Sequence, residues 1–128
     1  MSNETPIPQI SARELAARIN GDGGVFLLDV RNPNEWEICK LTNAVMLPLP
    51  TLQREAQEIA FGGTPAKDSV IAQIPHDQDI VVYCHTGMRS QYAIMILRAI
   101  GYAPERLINL AGGIDHWATD VDPTMATY

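Results

Sequence analysis

The chain has 128 residues, enough for one domain to bury a core without disulfide or metal staples. Its formal net charge of -6 argues against broad binding to nucleic acid or anionic membranes, because phosphates would be repelled, and an anionic substrate would need a local positive site. Two cysteines, Cys39 and Cys84, are too few for a disulfide framework or a four-thiolate zinc site. They read as reduced thiols in a cytoplasmic protein, an expectation consistent with MSNETPIPQI, which lacks the basic and apolar regions of a signal peptide. No window approaches the roughly 18 to 20 apolar residues of a membrane helix.

Pro6 and Pro8 predict an extended start, with residues 1–8 as an extension before the domain proper, and Ile10 fits a very short strand. Ser11 with Glu14 three residues on makes a capping box, and Leu15, Ala16 and Ile19 recur at helical spacing. Asn20-Gly21 and Gly23-Gly24 stop that helix and turn the chain. VFLLDV, residues 25–30, is a short apolar run ending in a carboxylate, as in a strand covered on both faces of a parallel sheet. Asn32 and Pro33 then predict a short helix through Trp36 and Ile38, and residues 44–47 another strand, ended by Pro48 and Pro50.

Residues 51–78 read as a variable segment. Leu52, Ala56, Ile59 and Ala60 predict an amphipathic helix closed by Gly62-Gly63, and a second short helix fits residues 66–74. DIVVYC, residues 79–84, is the second clear buried strand. Ser90 then opens a helix through QYAIMILRAIGY that is apolar nearly all round, with Gly101 as its stop. RLINL, residues 106–110, is a last strand, followed by Gly112-Gly113, a short helix at IDHWA and a tail over residues 119–128. Strands alternating with helices predict an α/β fold, a single domain with a parallel central sheet and helices on both faces.

In such sheets ligands sit at the carboxyl ends of strands, where Asp29, Arg31 and Cys84 all fall. A thiol between a strand and a helix lies where backbone N–H groups and the positive end of the helix dipole converge, and both favour thiolate over thiol. Gly87 lets the loop wrap, and Arg89 supplies a guanidinium for an anion or for the loop carbonyls. The thiolate is a nucleophile, and the surrounding amides stabilise negative charge on it. A Cys84–His85 dyad is disfavoured, because adjacent side chains rarely align.

ISARELAARI, LLDVRNPNEWEI, AVMLPL, VVYCHTGMRS, LRAIGY and NLAGGIDHW together resemble a single-domain rhodanese, a sulfurtransferase, over most of the chain. The resemblance implies that Cys84 takes sulfane sulfur from a donor such as thiosulfate, holds it as a persulfide and yields it to a thiophilic acceptor, with no metal or organic cofactor. His85, Thr86, Gly87, Met88 and Ser90 would then line the cradle, with His85 and Met88 on its rim. The resemblance matches Asp29 and Arg31 to the family's Asp-x-Arg. Arg31 either pairs with Asp29 or reaches the loop. Tyrosine phosphatases resemble C-x5-R, whereas only four residues separate Cys84 from Arg89 here, a tighter ring that suits a terminal sulfur better than a tetrahedral oxyanion.

Cys39 and Lys40 depart from the family's usual Gly and His. Cysteine there, and the ending GGIDHWATDVDPTMATY, resemble rhodanese modules fused to enzymes that activate ubiquitin-like sulfur carriers. Three functions follow as expectations: a small-donor sulfurtransferase acting on cyanide or a thiol, a relay taking sulfur from a cysteine desulfurase to a protein acceptor, and a binding domain with an idle thiol. Cys39, Trp36 and Trp117 read as core residues, and His76 and His116 as surface or helix-end histidines.

Overall fold

A computed structural model describes residues 5–21, 24–63 and 69–128. The strands are β1 (Gln9–Ile10), β2 (Phe26–Asp29), β3 (Val45–Met46), β4 (Ile80–Tyr83) and β5 (Leu107–Leu110). The helices are α1 (Ala12–Asn20), α2 (Pro33–Trp36), α3 (Leu49–Ala60), α4 (Val70–Gln73), α5 (Met88–Ala99) and α6 (Gly113–Asp120), with a 3-10 turn at Pro104–Arg106.

All strand pairings are parallel, in the order β1-β5-β4-β2-β3. β2 and β4 hold the centre, and every residue of β4 is fully buried, which explains its unbroken apolar run. One face carries a core of Leu28, Val82, Ile94 and Leu97 with residues of α3, α4 and α5, and the other packs Leu27, Val81 and Tyr83 against α1 and α6. Each fully buried Leu or Ile contributes about 1.5–3 kcal/mol by leaving water. The chain leaves β2 toward β3 and leaves β4 toward β5, in opposite directions, so a crevice opens between the carboxyl ends of β2 and β4.

The Ser11 capping box is present, with the Ser11 hydroxyl accepting from the Glu14 amide and the Glu14 carboxylate from the Ser11 amide. Three boundaries differ from the sequence reading. α2 stops at Trp36 rather than Ile38. Pro50 opens α3 as its second residue instead of only ending β3, because the first helical turn has no use for that N–H. α5 begins at Met88, two residues before Ser90, because Gly87 at φ 111° supplies the left-handed N-cap position. At the far end of α5, Gly101 at φ 109° lets the Tyr102 amide reach back to the Leu97 carbonyl. The helix expected over residues 66–74 is observed as α4, and its expected first part, like Gly23 and residues 1–4, lies outside the described residues. Tyr102 fixes α4 by donating to the Ile71 and Ile74 carbonyls while stacking on His76.

Among the described residues no helix is long and apolar enough to cross a membrane.

Candidate active site

Cys84 follows β4 directly and is 1% exposed. Its Sγ accepts the Gly87 N–H at 3.1 Å and lies 3.4 Å from the Ser90 hydroxyl. Ser90 is fully buried and donates a short bond to Asn109 Oδ1 on β5, and the Asn109 amide in turn donates to Gln9 on β1. A row of polar groups therefore links the sulfur to two neighbouring strands. The loop carbonyls point the other way: the Ile114 amide donates to Cys84 and the Asp115 amide to His85, each at 3.0 Å. With its C=O groups held by the start of α6, the loop turns an N–H toward the sulfur, where developing negative charge is stabilised. Gly113 makes this docking possible, since a Cβ there would stand 2.3 Å from the His85 carbonyl oxygen at a φ of 62°.

Arg89 was expected to serve an anion or the loop carbonyls. Instead it makes a two-pronged ion pair with Glu35, at 2.6 and 2.8 Å. Arg31 is fully buried and does not bond to the loop. Its backbone amide and guanidinium donate to Asp29, with Nη2 2.7 Å from Oδ2, and the guanidinium also donates to the Cys39 carbonyl and the Tyr128 hydroxyl. Of the two alternatives for Arg31, the structure shows the pairing with Asp29. Trp36 donates its indole N–H to the same carboxylate, so it is more than a core anchor.

Glu35 is the centre of the second pair. It accepts from Asn32 N–H, both Arg89 prongs and the Tyr128 hydroxyl. The Arg89 bonds hold its carboxyl at about 2, against the burial that would raise it, with smaller help from Tyr128 and the Asn32 amide. Burial and the neighbouring carboxylate push the Tyr128 phenol up to about 12, so it stays protonated and donates. Burial, and then Asp29, likewise hold the Tyr83 phenol above its ordinary value.

These bonds carry an acid-stability consequence. Because the Glu35 carboxyl is depressed when folded, its contribution is complete above the ordinary glutamate value of 4.5 and is lost as pH falls toward about 2. Urea unfolding should place Glu35→Gln about 1.5–3 kcal/mol below wild type at neutral pH, the range for hydrogen bonds to a charged group. The gap should close through that acidic window. A gap independent of pH would show that the carboxylate charge is not what matters.

The remaining expected site residues sit on the rim. His85 stacks on Tyr128 at 3.9 Å between centroids and lies 3.9 Å from Asp115. Thr86 is exposed and Met88 is 74% exposed, both open to an incoming partner. Cys39 is half-buried with a free thiol 3.9 Å from the Arg31 guanidinium, and Lys40 lies over the Trp36 ring. His116 is exposed, and Trp117 packs half-buried against the α1–α6 core. Glu35, Asn109 and Tyr128 are absent from the sequence-derived site. Glu35 carried a local signal, the third helical position after Asn32-Pro33, but its partners lie 54 and 93 residues away.

Residues 11–120 match the family described as rhodanese-like domain. The chain belongs to the rhodanese-like domain family. It is 31% identical over 120 residues to a protein named "Sulfurtransferase" from Allochromatium vinosum, covering 94% of this chain and 96% of that one. It is also 29% identical over 119 residues to "Probable adenylyltransferase/sulfurtransferase MoeZ" of Mycobacterium tuberculosis, covering 93% of this chain but only 26% of that protein. The chain thus spans about a quarter of that longer relative. Among solved structures, a rhodanese-like domain protein from Staphylococcus aureus superposes with a TM-score of 0.69 at 20% identity, covering 94% of this chain and 98% of that one, a likeness of fold. The rhodanese-like assignment and the sulfurtransferase names agree with the family resemblance carried by VVYCHTGMRS.

Proposed function

We propose that this rhodanese-like domain is a sulfurtransferase in which Cys84 carries the sulfur. The observation that carries the reading is the Cys84 sulfur facing the Gly87 N–H at the start of α5, with the loop carbonyls held away by α6. The Cys84 thiolate attacks the outer sulfur of thiosulfate, the S–S bond breaks, and sulfite leaves with its electron pair. An acceptor thiolate or cyanide then attacks the terminal sulfur of the Cys84 persulfide. The new bond forms to the acceptor, and the Cys84 thiolate leaves with the electrons of the old one. Arg89 and Arg31 brace the loop and its surroundings through Glu35 and Asp29, and Thr86, Met88 and Ser90 border the cradle. The cytoplasm, where thiols stay reduced, fits this cycle.

A second reading is a protein-to-protein relay fed by a cysteine desulfurase. What favours it is charge: both arginines of the site already have carboxylate partners, so neither offers an unpaired charge to a small dianion. The relatives whose names combine adenylyltransferase with sulfurtransferase point the same way.

Intact-mass spectrometry, with digestion to locate the modified peptide, tests both. A gain of one sulfur atom on Cys84 after thiosulfate supports the first donor. The same gain only with a desulfurase and cysteine supports the second. No gain at Cys84 in either arm overturns the proposal and leaves a binding role.

A further inference from the structure

The residues after α6 do not trail away from the domain. The Val121 and Asp122 amides return to the Trp117 carbonyl, Asp122 caps a turn by accepting from the Thr124 amide and hydroxyl, and Met125 packs against the α1–α6 core. Ala126 and Thr127 are exposed, and then Tyr128 returns to the site. Its ring lies on His85, nearly parallel at 13°. Its hydroxyl accepts from Arg31 at 3.0 Å and donates to Glu35 at 2.6 Å. His85 adjoins Cys84 at one end of the loop, and Glu35 holds Arg89 at the other. One side chain therefore spans the loop that contains the sulfur, while its own residue stays 41% exposed.

We infer that Tyr128 is a specificity-determining residue, a strap across the approach to Cys84 that admits narrow nucleophiles and must swing aside for wide ones. The inference rests on the sulfurtransferase reading for its acceptor chemistry, although the access it describes is a property of the thiol itself. Two anchors on either side of two exposed residues make the motion local: Met125 stays in the core while Tyr128 leaves. Opening breaks one ring stack and two hydrogen bonds to charged groups; the phenol moves into water, and Arg31 Nη1 keeps its longer contact with the Glu35 carbonyl at 3.5 Å. Arg31 keeps Asp29 and the Cys39 carbonyl, and Glu35 keeps Arg89, so both ion pairs survive the opening. A narrow acceptor such as cyanide reaches the persulfide's terminal sulfur past the ring. A wide thiolate, or the thiol of a partner protein, displaces it first.

The test compares wild type with Tyr128→Ala and Tyr128→Phe, the latter keeping the stack while removing both hydrogen bonds. Cys84 is alkylated with iodoacetamide or with fluorescein maleimide, and the rate is read on the Cys84 peptide so that Cys39 does not contribute. The ratio of the wide to the narrow rate should rise at least tenfold in Tyr128→Ala, since one charge-assisted hydrogen bond alone is worth about that much and the variant removes two together with the stack. It should rise by less in Tyr128→Phe, which keeps the stack. With persulfide-loaded protein, kcat/KM for glutathione relative to cyanide should rise in the same order. Unchanged ratios in both variants would overturn the strap. Should Tyr128→Ala fold poorly by circular dichroism, the Tyr128→Phe ratio decides alone. If wild-type Cys84 never takes up sulfur but the alkylation ratio still shifts, the strap stands and the sulfurtransferase reading falls.

Discussion

Cys84→Ser is expected to fold normally and to show no sulfur transfer above the enzyme-free rate. The two side chains differ by one atom, and a serine oxygen can still accept the Gly87 N–H and meet the Ser90 hydroxyl, so stability should stay within about 1–2 kcal/mol of wild type. Reactivity does not survive the exchange. Sulfane transfer needs a nucleophile that is anionic near neutral pH and polarisable enough to attack sulfur, which a thiolate is and a hydroxyl is not. Among the described residues the neighbouring histidine gives no help, since His85 stacks on Tyr128 and faces Asp115 rather than position 84. Circular dichroism and urea unfolding check the first half of the expectation, and steady-state assay with thiosulfate and cyanide checks the second. A Cys84→Ser protein with wild-type turnover would move the chemistry elsewhere, with Cys39 the first place to look.

The central strands were readable because local composition determined them. VFLLDV and DIVVYC lie in the middle of a parallel sheet, so both faces are covered and the run has no polar alternation. The placement of Cys84 followed from the same pattern. Helix starts were less legible where backbone geometry outweighed residue type. Ser90 looks like an N-cap by composition, but the left-handed conformation at Gly87 had already begun α5, and Ser90 was left to face the sulfur. The polar wiring was hidden for another reason. Arg89 meets Glu35, Ser90 meets Asn109 and Tyr128 meets Arg31 only after distant segments converge, so no spacing in the chain announces the pairs. The tail assigned to residues 119–128 shows the cost of a local reading. Asp120 still belongs to α6, and an aromatic after an Asp-Pro-Thr turn carries no sign that its hydroxyl joins two charged groups.

Asp29→Asn is expected to be the most destabilising of the conservative site substitutions, by about 3–5 kcal/mol, because it leaves a buried guanidinium without its counter-charge. The sequence alone left Arg31 either paired with Asp29 or reaching the loop, and an exposed pair would be worth at most about 1 kcal/mol. Both side chains are instead fully buried. Asp29 accepts from the Arg31 amide, from two guanidinium nitrogens and from the Trp36 indole, so its carboxylate holds β2, Arg31 and α2 in one arrangement. Asparagine keeps the shape, but one of its two terminal groups becomes a donor facing donors. Arg31 cannot escape by losing its proton, since a guanidinium is not deprotonated inside proteins. The double variant Asp29→Asn with Arg31→Met removes the stranded charge, so it should recover part of the loss rather than add to it. Urea unfolding of the two single variants and the double closes the cycle. Additive losses would mean that the pair is not coupled in the folded state, and that the contacts to Trp36 and Tyr128 carry the stability assigned to it.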